Sequence, residues 1–460
     1  MSSFSLDDTI VAISTAPGEG AIGIVRLSGT KAIEIVSKIF QSARNKDLTK
    51  VPSHTIHYGW IQNPSTSELI DEVLVSVMRA PHTYTREDVV EINCHGGMVP
   101  MKRVLELVTA QGARTAMPGE FTLRAFINGR IDLAQAEAVL DIIRAKTDRV
   151  TKVALEHLRG RLSERINSLR EVLKGVLAHI EAYLDFPEEE IEPMTEAQII
   201  EKLQTLIEQL KTLLDTYHEG RILREGLAVA IVGKPNVGKS SLLNRLLDRD
   251  RAIVTEIPGT TRDIIEDYIN IKGLPVRILD TAGIRTSKDM VEEEGIKRTI
   301  RAIDEADLVL CVLDCSSPLT EEDYRIIRYL DNKKSIFVLN KIDLPQKLDE
   351  RQLPQRYPIV KVSAKTDSGI EQLKKLIYKE TLGETVKTES VLLTNIRHKK
   401  AIDGALSSLQ EALQCFRDKQ PLEFVAMNLR DSLTYLGEIT GETTPEDILE
   451  IIFSEFCIGK

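Results

Sequence analysis

Cysteine is scarce in this chain, five in 460 residues, and the five lack the paired spacing that builds a disulfide framework. Cys311 and Cys315 lie in an apolar strand-like run and at its exit, a setting poorly suited to a metal pair. Long apolar runs are missing too, and none approaches the length that spans a bilayer. The opening residues MSSFSLDDTI lack the basic start and apolar centre of a secretion signal, and they are too acidic for an organelle transit sequence. Excess positive charge is absent, with a net charge of −10 and an isoelectric point of about 5.5. Any contact with nucleic acid therefore needs a local basic patch rather than bulk charge. No internal repeat or low-complexity segment is visible. Together these absences lead us to expect a reduced, cytoplasmic protein that does not enter a membrane.

What is present is a globular balance, 42% hydrophobic and 28% charged, over a length that predicts about three domains. From Ile10 to about Phe126 short β-rich runs (IVAIS, IGIVRLS, EVLVSVM, VVEINC) alternate with brief helical ones and Gly-rich turns. This predicts an α+β domain over residues 1–126. Residues 127–223 turn helical. Leu155, Leu158, Leu162, Ile166, Leu169, Leu173, Val176, Leu177 and Ile180 recur at three- and four-residue spacing, and FPEEEIEPM ends that helix. A second stripe carries Ile199, Leu203, Leu206, Ile207, Leu210 and Leu214. Strands and helices then alternate over 224–383, and helix texture returns over 384–460 with Ile402, Leu406, Leu409, Leu413 and Phe416. The helical blocks have apolar faces too large to leave in water, so they are expected to pack together as one discontinuous all-α domain with the α/β unit inserted between them.

The inserted unit carries the clearest chemistry. LAVAIVG reads as a buried strand and SLLNRLL as the start of an amphipathic helix, with Gly233-Lys234-Pro235-Asn236-Val237-Gly238-Lys239-Ser240-Ser241 between and after them. This strand–loop–helix setting is that of a phosphate-binding loop. The glycines let backbone N–H groups face the phosphates, Lys239 adds charge at the β- and γ-phosphates, and the Ser240 hydroxyl is placed for Mg²⁺. Asp280-Thr281-Ala282-Gly283 follows the strand VRILD, where Asp280 can reach Mg²⁺ through water and Gly283 can sense the γ-phosphate. Asn340-Lys341-Ile342-Asp343 follows SIFVLN, and the carboxylate of Asp343 can accept from N1 and N2 of guanine, which adenine cannot satisfy. Ser363-Ala364-Lys365 supports the same base, and Pro258-Gly259-Thr260-Thr261 supplies a switch threonine, Thr261, for Mg²⁺. Each alone is an ordinary turn; in this order, each after a strand, they predict a P-loop GTPase of Ras-like α/β fold that binds and hydrolyses GTP.

Ile284 stands where signalling GTPases carry a water-orienting glutamine, and an isoleucine cannot hydrogen-bond water. Asn236 together with Thr255-Glu256-Ile257-Pro258-Gly259-Thr260 resembles the potassium-dependent subset of GTPases. That resemblance implies K⁺ held by Asn236, Thr255, Ile257 and Thr260, with dimerisation of the G domains; the plain alternative for Asn236 is a loop-capping side chain. A catalytic carboxylate is then expected at Glu292, whose alternative is a solvated acidic run with Glu293 and Glu294.

Outside the nucleotide motifs, several segments resemble the MnmE (TrmE) family of tRNA-modifying GTPases. They are IVAISTAPGEGAIGIVRLSG, the run from Ala80-Pro81-His82-Thr83-Tyr84-Thr85 to Glu87-Asp88, Cys94-His95-Gly96-Gly97, the stretch from Pro118 to Phe126 with NGRIDLAQAEAVLD following it, and Cys457-Ile458-Gly459-Lys460. The similarity covers essentially the whole chain. Arg86 departs from it, standing where the family usually has glycine, and is expected to alter the loop geometry more than the chemistry. The resemblance implies an N-terminal domain that binds folate and dimerises, a discontinuous helical domain and an inserted G domain. It implies a homodimer that works with the flavoprotein MnmG, which brings FAD and NADH, to convert C5 of the tRNA wobble uridine to aminomethyl or carboxymethylaminomethyl uridine. A 5-formyl- or methylene-tetrahydrofolate would supply the one-carbon unit. Carried over residue by residue, Arg26 (after an apolar strand), Glu87, Arg130 and Lys460 match folate-contacting positions. Cys457 admits two readings, a thiolate attacking C6 of uridine or an inert cysteine. A ribosome- or RNA-assembly GTPase would want an appended RNA-binding module, and a membrane-remodelling one a basic or apolar segment; neither is visible in the sequence.

Overall fold

The structure is a computed structural model that describes residues 7–185, 194–250, 268–279, 292–383 and 391–460, the side chains of 249–250 and 292–298 excepted. Alternation of Val73, Val75 and Val77 in one strand and of Val90, Ile92 and Cys94 in the next gives the first sheet one buried face. Its strands are β1 (Ile10–Ile13), β2 (Gly20–Ser28), β3 (Phe40–Ser42), β4 (Thr55–Gln62), β5 (Leu69–Met78), β6 (Val89–Gly96) and β7 (Arg114–Thr115), in the order β3-β4-β5-β6-β2-β1-β7. Only the β1–β7 pairing is parallel. Helices α1 (Ala32–Ile39) and α2 (Met98–Ala110) cover the buried face through Val36, Ile39, Val104 and Val108, while Ile56, Tyr58 and Leu74 point outward.

A second, six-stranded sheet contains β8 (Leu227–Val232), β9 (Tyr268–Ile271), β10 (Leu274–Leu279), β11 (Leu308–Asp314), β12 (Ser335–Asn340) and β13 (Ile359–Lys361). The order is β13-β12-β11-β8-β10-β9, parallel throughout except for the β9–β10 hairpin. β8 and β12 are buried at every residue, which is what near-continuous apolar strands of a parallel sheet covered on both faces require.

The remaining chain is helical. In order come α3 (Glu120–Ile127), α4 (Leu133–Arg144), α5 (Asp148–Leu158), α6 (Arg161–Asp185), α7 (Glu196–Asp215) and α8 (Tyr217–Glu225). Next to the second sheet stand α9 (Lys239–Asp250), α10 (Glu292–Glu305), α11 (Glu321–Tyr329) and α12 (Ile370–Leu382). After it run α13 (Ile396–Arg417), α14 (Leu422–Thr440) and α15 (Glu446–Ser454). Asp132 and Thr195 start α4 and α7 with capping boxes. Ile166, Leu169 and Leu173 of α6 share a core with Leu203 and Leu210 of α7, Leu409 of α13 and Leu429 and Leu436 of α14. Helices before and after the second sheet therefore bury one another's apolar faces.

The expected stripe beginning at Leu155 needs correction. The helix breaks between α5 and α6 at Gly160, whose φ is +90°, and Leu155 is exposed. Because the helix ends there, the first residues of the stripe do not continue the buried face that Leu162 and Ile166 form.

Candidate functional site

β8 delivers the chain to the phosphate loop and α9 leads it away. Gly233 and Gly238 take φ values of +150° and +98°. A Cβ at Gly233 would fall 2.4 Å from the Val312 carbonyl oxygen, and one at Gly238 2.3 Å from Asn340 Nδ2. Both positions therefore require glycine for space as well as for conformation. The exposed Asn236 between them also has a left-handed backbone, with φ +63°. Lys239 Nζ donates to the carbonyls of Gly233 at 2.6 Å and Lys234 at 2.8 Å, and burial lowers its pKa. The ammonium thus sits within a cradle of backbone that a side chain would fill, which suits a phosphate group. Ser240 and Ser241 occupy the first turn of α9.

Asn340, at the end of β12 and nearly fully buried, links this loop to the base-recognition segment. Its Nδ2 donates to Val237 O at 2.8 Å, and its Oδ1 accepts from Ala364 N at 3.1 Å. Ser363 Oγ donates to Asp343 Oδ1 at 2.6 Å, a hydrogen bond that holds the Asp343 carboxyl below its ordinary pKa. Asp343 is exposed and ionised, an acceptor only, as pairing with the N–H edge of guanine demands. Lys341 adopts φ +70° and pairs with Asp314 Oδ2 at 2.6 Å. Burial works against ionisation of Asp314, but Lys341 and Ser316 outweigh it and lower its pKa overall. Lys365 is exposed on the turn after Ala364.

Thr255, Glu256, Ile257, Pro258, Gly259, Thr260 and Thr261 lie outside the described residues, as do Asp280, Thr281, Ala282, Gly283 and Ile284. Glu292 opens α10, but its side chain lies outside them too. Among the described residues no group of three or more His, Cys, Asp or Glu could hold a metal ion.

A second cluster forms where residues 457–460 meet the first sheet. Ile458 bridges Pro118, and Gly119 N donates to Cys457 O at 3.5 Å. The carbonyl of Gly459 accepts from Ser14 Oγ at 3.2 Å and from Arg26 Nη1 at 3.3 Å. A Cβ on Gly459 would lie 2.6 Å from Ile13 O, so the segment seats against β1 closely. Arg26 lies within β2 rather than after it, a correction to the sequence expectation; there it faces Glu91 on the paired strand at 2.8 Å. Lys460 is half-buried, and its pKa is lowered by burial and by Arg26. The guanidinium of Arg130 lies 4.8 Å from the centre of the Tyr84 ring. Burial raises the Tyr84 phenol, while Thr122, Arg130 and Arg26 act in the opposite direction. Arg26 and Arg130 thus both act on Tyr84, while Lys460 lies near Arg26 and the exposed Cys457.

Glu87 faces elsewhere. Its carboxylate accepts from Ser28 Oγ at 2.6 Å and from Arg124 Nη1 at 3.1 Å, and Arg124, 0% exposed, also pairs with Asp8 and Glu120. Arg86 takes φ +60°, the left-handed backbone that a glycine would supply, and its Nη1 donates to Asn128 O at 2.8 Å. The arginine thus takes a backbone conformation that glycine adopts readily. Tyr84, Glu91 and Arg124 escape sequence reasoning as members of the site. Tyr84 and Arg124 carry a signal, through their places in the Thr83-Tyr84-Thr85 run and in the stretch from Pro118 to Phe126; Glu91 carries none.

A glycine cradle around a helix-starting lysine, joined through one buried asparagine to an ionised aspartate, defines a P-loop GTPase. The MnmE helical domain model matches residues 133–457, and the model of the GTP-binding protein TrmE N-terminus matches residues 9–130. The chain belongs to the MnmE family. It is 50% identical to the tRNA modification GTPase MnmE of Alkaliphilus oremlandii over 99% of this chain and 100% of that one. The MnmE of Thermoanaerobacter pseudethanolicus is 50% identical over 98% of this chain and 99% of that one. The MnmE of Acetivibrio thermocellus matches at 50% over 99% of each chain.

Proposed function

We propose that this chain hydrolyses GTP to drive chemistry performed in another part of the molecule, the modification of C5 of the tRNA wobble uridine. The observation that carries this reading is the seating of residues 457–460 against the first sheet, which brings Cys457 and Lys460 beside Arg26, far in sequence from Lys239. In this reading residues 1–126 form the folate-binding and dimerisation domain. A helical domain made of 127–223 and 384–460 receives the G domain, 224–383, as an insertion. Packing of Leu162 and Leu173 against Leu409 and Leu429 supports that division.

At the nucleotide, Lys239 binds the β- and γ-phosphates, and Asn340, Asp343, Ser363 and Ala364 select guanine. Ser240 and Thr261 are the proposed Mg²⁺ ligands, and Asn236, Thr255, Ile257 and Thr260 the proposed K⁺ ligands. Held by these residues, the two cations would supply positive charge against the charge developing between the β- and γ-phosphates. Glu292 is the proposed carboxylate that orients water. In the second cluster, Arg26, Arg130 and Lys460 offer three cations suited to the carboxylates of a tetrahydrofolate derivative. Glu87, held by Arg124, is the proposed acidic member of that site. The work requires a homodimer, tRNA and the flavoprotein MnmG, which carries FAD and accepts NADH. No described helix is long and apolar enough to cross a membrane.

The test is mass spectrometry of wobble nucleosides from cells lacking this protein and complemented with wild type or Lys239→Ala. Loss of aminomethyl and carboxymethylaminomethyl uridine, restored by wild type alone, is the expected result. Unaltered wobble uridine in the deficient cells overturns the proposal.

A further inference from the structure

The base-recognition turn is tied to the phosphate end of the site by a side chain that belongs to none of the nucleotide motifs. Arg245 stands on α9, the helix that Lys239 begins. Its Nε donates to Ala364 O at 3.2 Å and its Nη2 to Lys365 O at 3.4 Å, with Asp367 Oδ1 at 3.7 Å from Nε. These carbonyls sit in the turn that presents Ser363 to Asp343. The turn closes on itself through Ser363 N to Ser368 O at 2.9 Å and Thr366 N to Ser363 Oγ at 3.1 Å. Asp367 adopts φ +66°, and a Cβ on Gly369 would lie 2.0 Å from Lys361 O. Asn340 anchors the turn on one side through Ala364 N. Arg245 anchors it on the other. Because Asp343 is exposed, its direction depends on hydrogen bonds such as that from Ser363 rather than on surrounding packing.

We propose that Arg245 is a positioning residue for base selection. By holding consecutive carbonyls of the turn to α9, it keeps Ser363, and through it Asp343, in register with the phosphate loop. This inference rests on the reading of the site as one for guanine nucleotides. A guanidinium suits the task because its planar fork holds its donors in a fixed geometry and spacing; a lysine at the same place is a compact charge on a flexible stem and fixes the turn less closely. Guanine and hypoxanthine differ by the exocyclic amine that Asp343 is placed to receive. A loosened turn therefore weakens GDP more than inosine diphosphate, whereas phosphate binding by Lys239 is common to both.

The experiment uses the whole chain as wild type, Arg245→Ala, Arg245→Lys and Arg245→Gln. Affinities for GDP and for inosine diphosphate are measured by competition with a fluorescent GDP, alongside GTP turnover at saturation. Wild type is expected to prefer GDP. Arg245→Ala is expected to lose about threefold to tenfold of that preference, the worth of one or two hydrogen bonds. Arg245→Lys should fall between them, with turnover at saturating GTP unchanged. An equal loss of affinity for both nucleotides, or no loss for either, overturns the proposal, because a merely structural arginine leaves the ratio alone. If Arg245→Ala does not fold, the ratios of the lysine and glutamine variants decide in the same way. A wild-type protein that fails to distinguish the two nucleotides overturns the guanine reading itself, and this proposal with it.

Discussion

His157 Nε2 stands 2.8 Å from the carbonyl oxygen of Leu392, joining positions 235 residues apart. One lies on α5, ahead of the second sheet; the other lies on the segment that leads into α13. Both are buried, so the bond forms away from water, and the imidazole must carry its proton on Nε2 to donate it.

Burial pushes the pKa of His157 down from 6.5 to about 4, with His398 acting in the same direction. The folded value lies below the unfolded one, so the unfolded chain binds more protons in the interval between them. The contribution of His157 is therefore complete above about pH 6.5 and is lost as pH falls toward about 4, at roughly 1 kcal/mol per pH unit. His157→Gln keeps a donor for Leu392 and removes the titration. Denaturation of the variant should show a flatter decline over that interval than wild type; equal slopes would place the acid sensitivity elsewhere.

Glu137 of α4 gathers the start of α13. Its carboxylate accepts from Asn395 Nδ2 at 2.8 Å, Arg397 Nη2 at 2.8 Å and His398 Nε2 at 2.7 Å. Burial opposes ionisation there, but His398 and Arg397 prevail and hold the carboxyl well below the carboxylate range. Glu137→Leu removes the carboxylate that Arg397 and His398 share and leaves the Arg397 charge only the carbonyls of Glu438 and Ile439, and a loss of about 3–5 kcal/mol in unfolding free energy is expected. A change under about 1 kcal/mol in chemical denaturation would show that the network contributes little net stability.

Gly238→Ala places a methyl carbon against Asn340 Nδ2 at a φ of +98°. The alanine must displace the asparagine or the loop, and either breaks the link to Val237 and Ala364. We expect GDP affinity to fall by at least about tenfold, given the few kcal/mol that such strain costs. The melting temperature without nucleotide should fall as well, because the strain and the lost Asn340 bonds are present in the free protein. Wild-type affinity by calorimetry would sink this account of the loop.

The phosphate loop was legible because its geometry is local: Gly233, Gly238 and Lys239 act within one turn of backbone, and their spacing states the shape directly. The stripe from Leu155 misleads because the apolar periodicity continues across Gly160 while the helix does not. Arg86 is a case the sequence leaves open. An arginine in place of glycine does not say which backbone it adopts, and only the structure pairs its left-handed conformation with the bond to Asn128 O.

By itself the sequence determined the nucleotide-binding motifs, the apolar strands that carry them and the helical faces that must find partners, because each depends on neighbours a few positions away. The tertiary structure decided what those pieces do to one another. That Arg124 takes up Glu87, that Gly459 receives Arg26, and that Arg245 reaches Ala364 follows from how sheets and helices stack. No spacing rule encodes such contacts, since they join side chains to carbonyls and carboxylates whose positions exist only once the cores beneath them have packed.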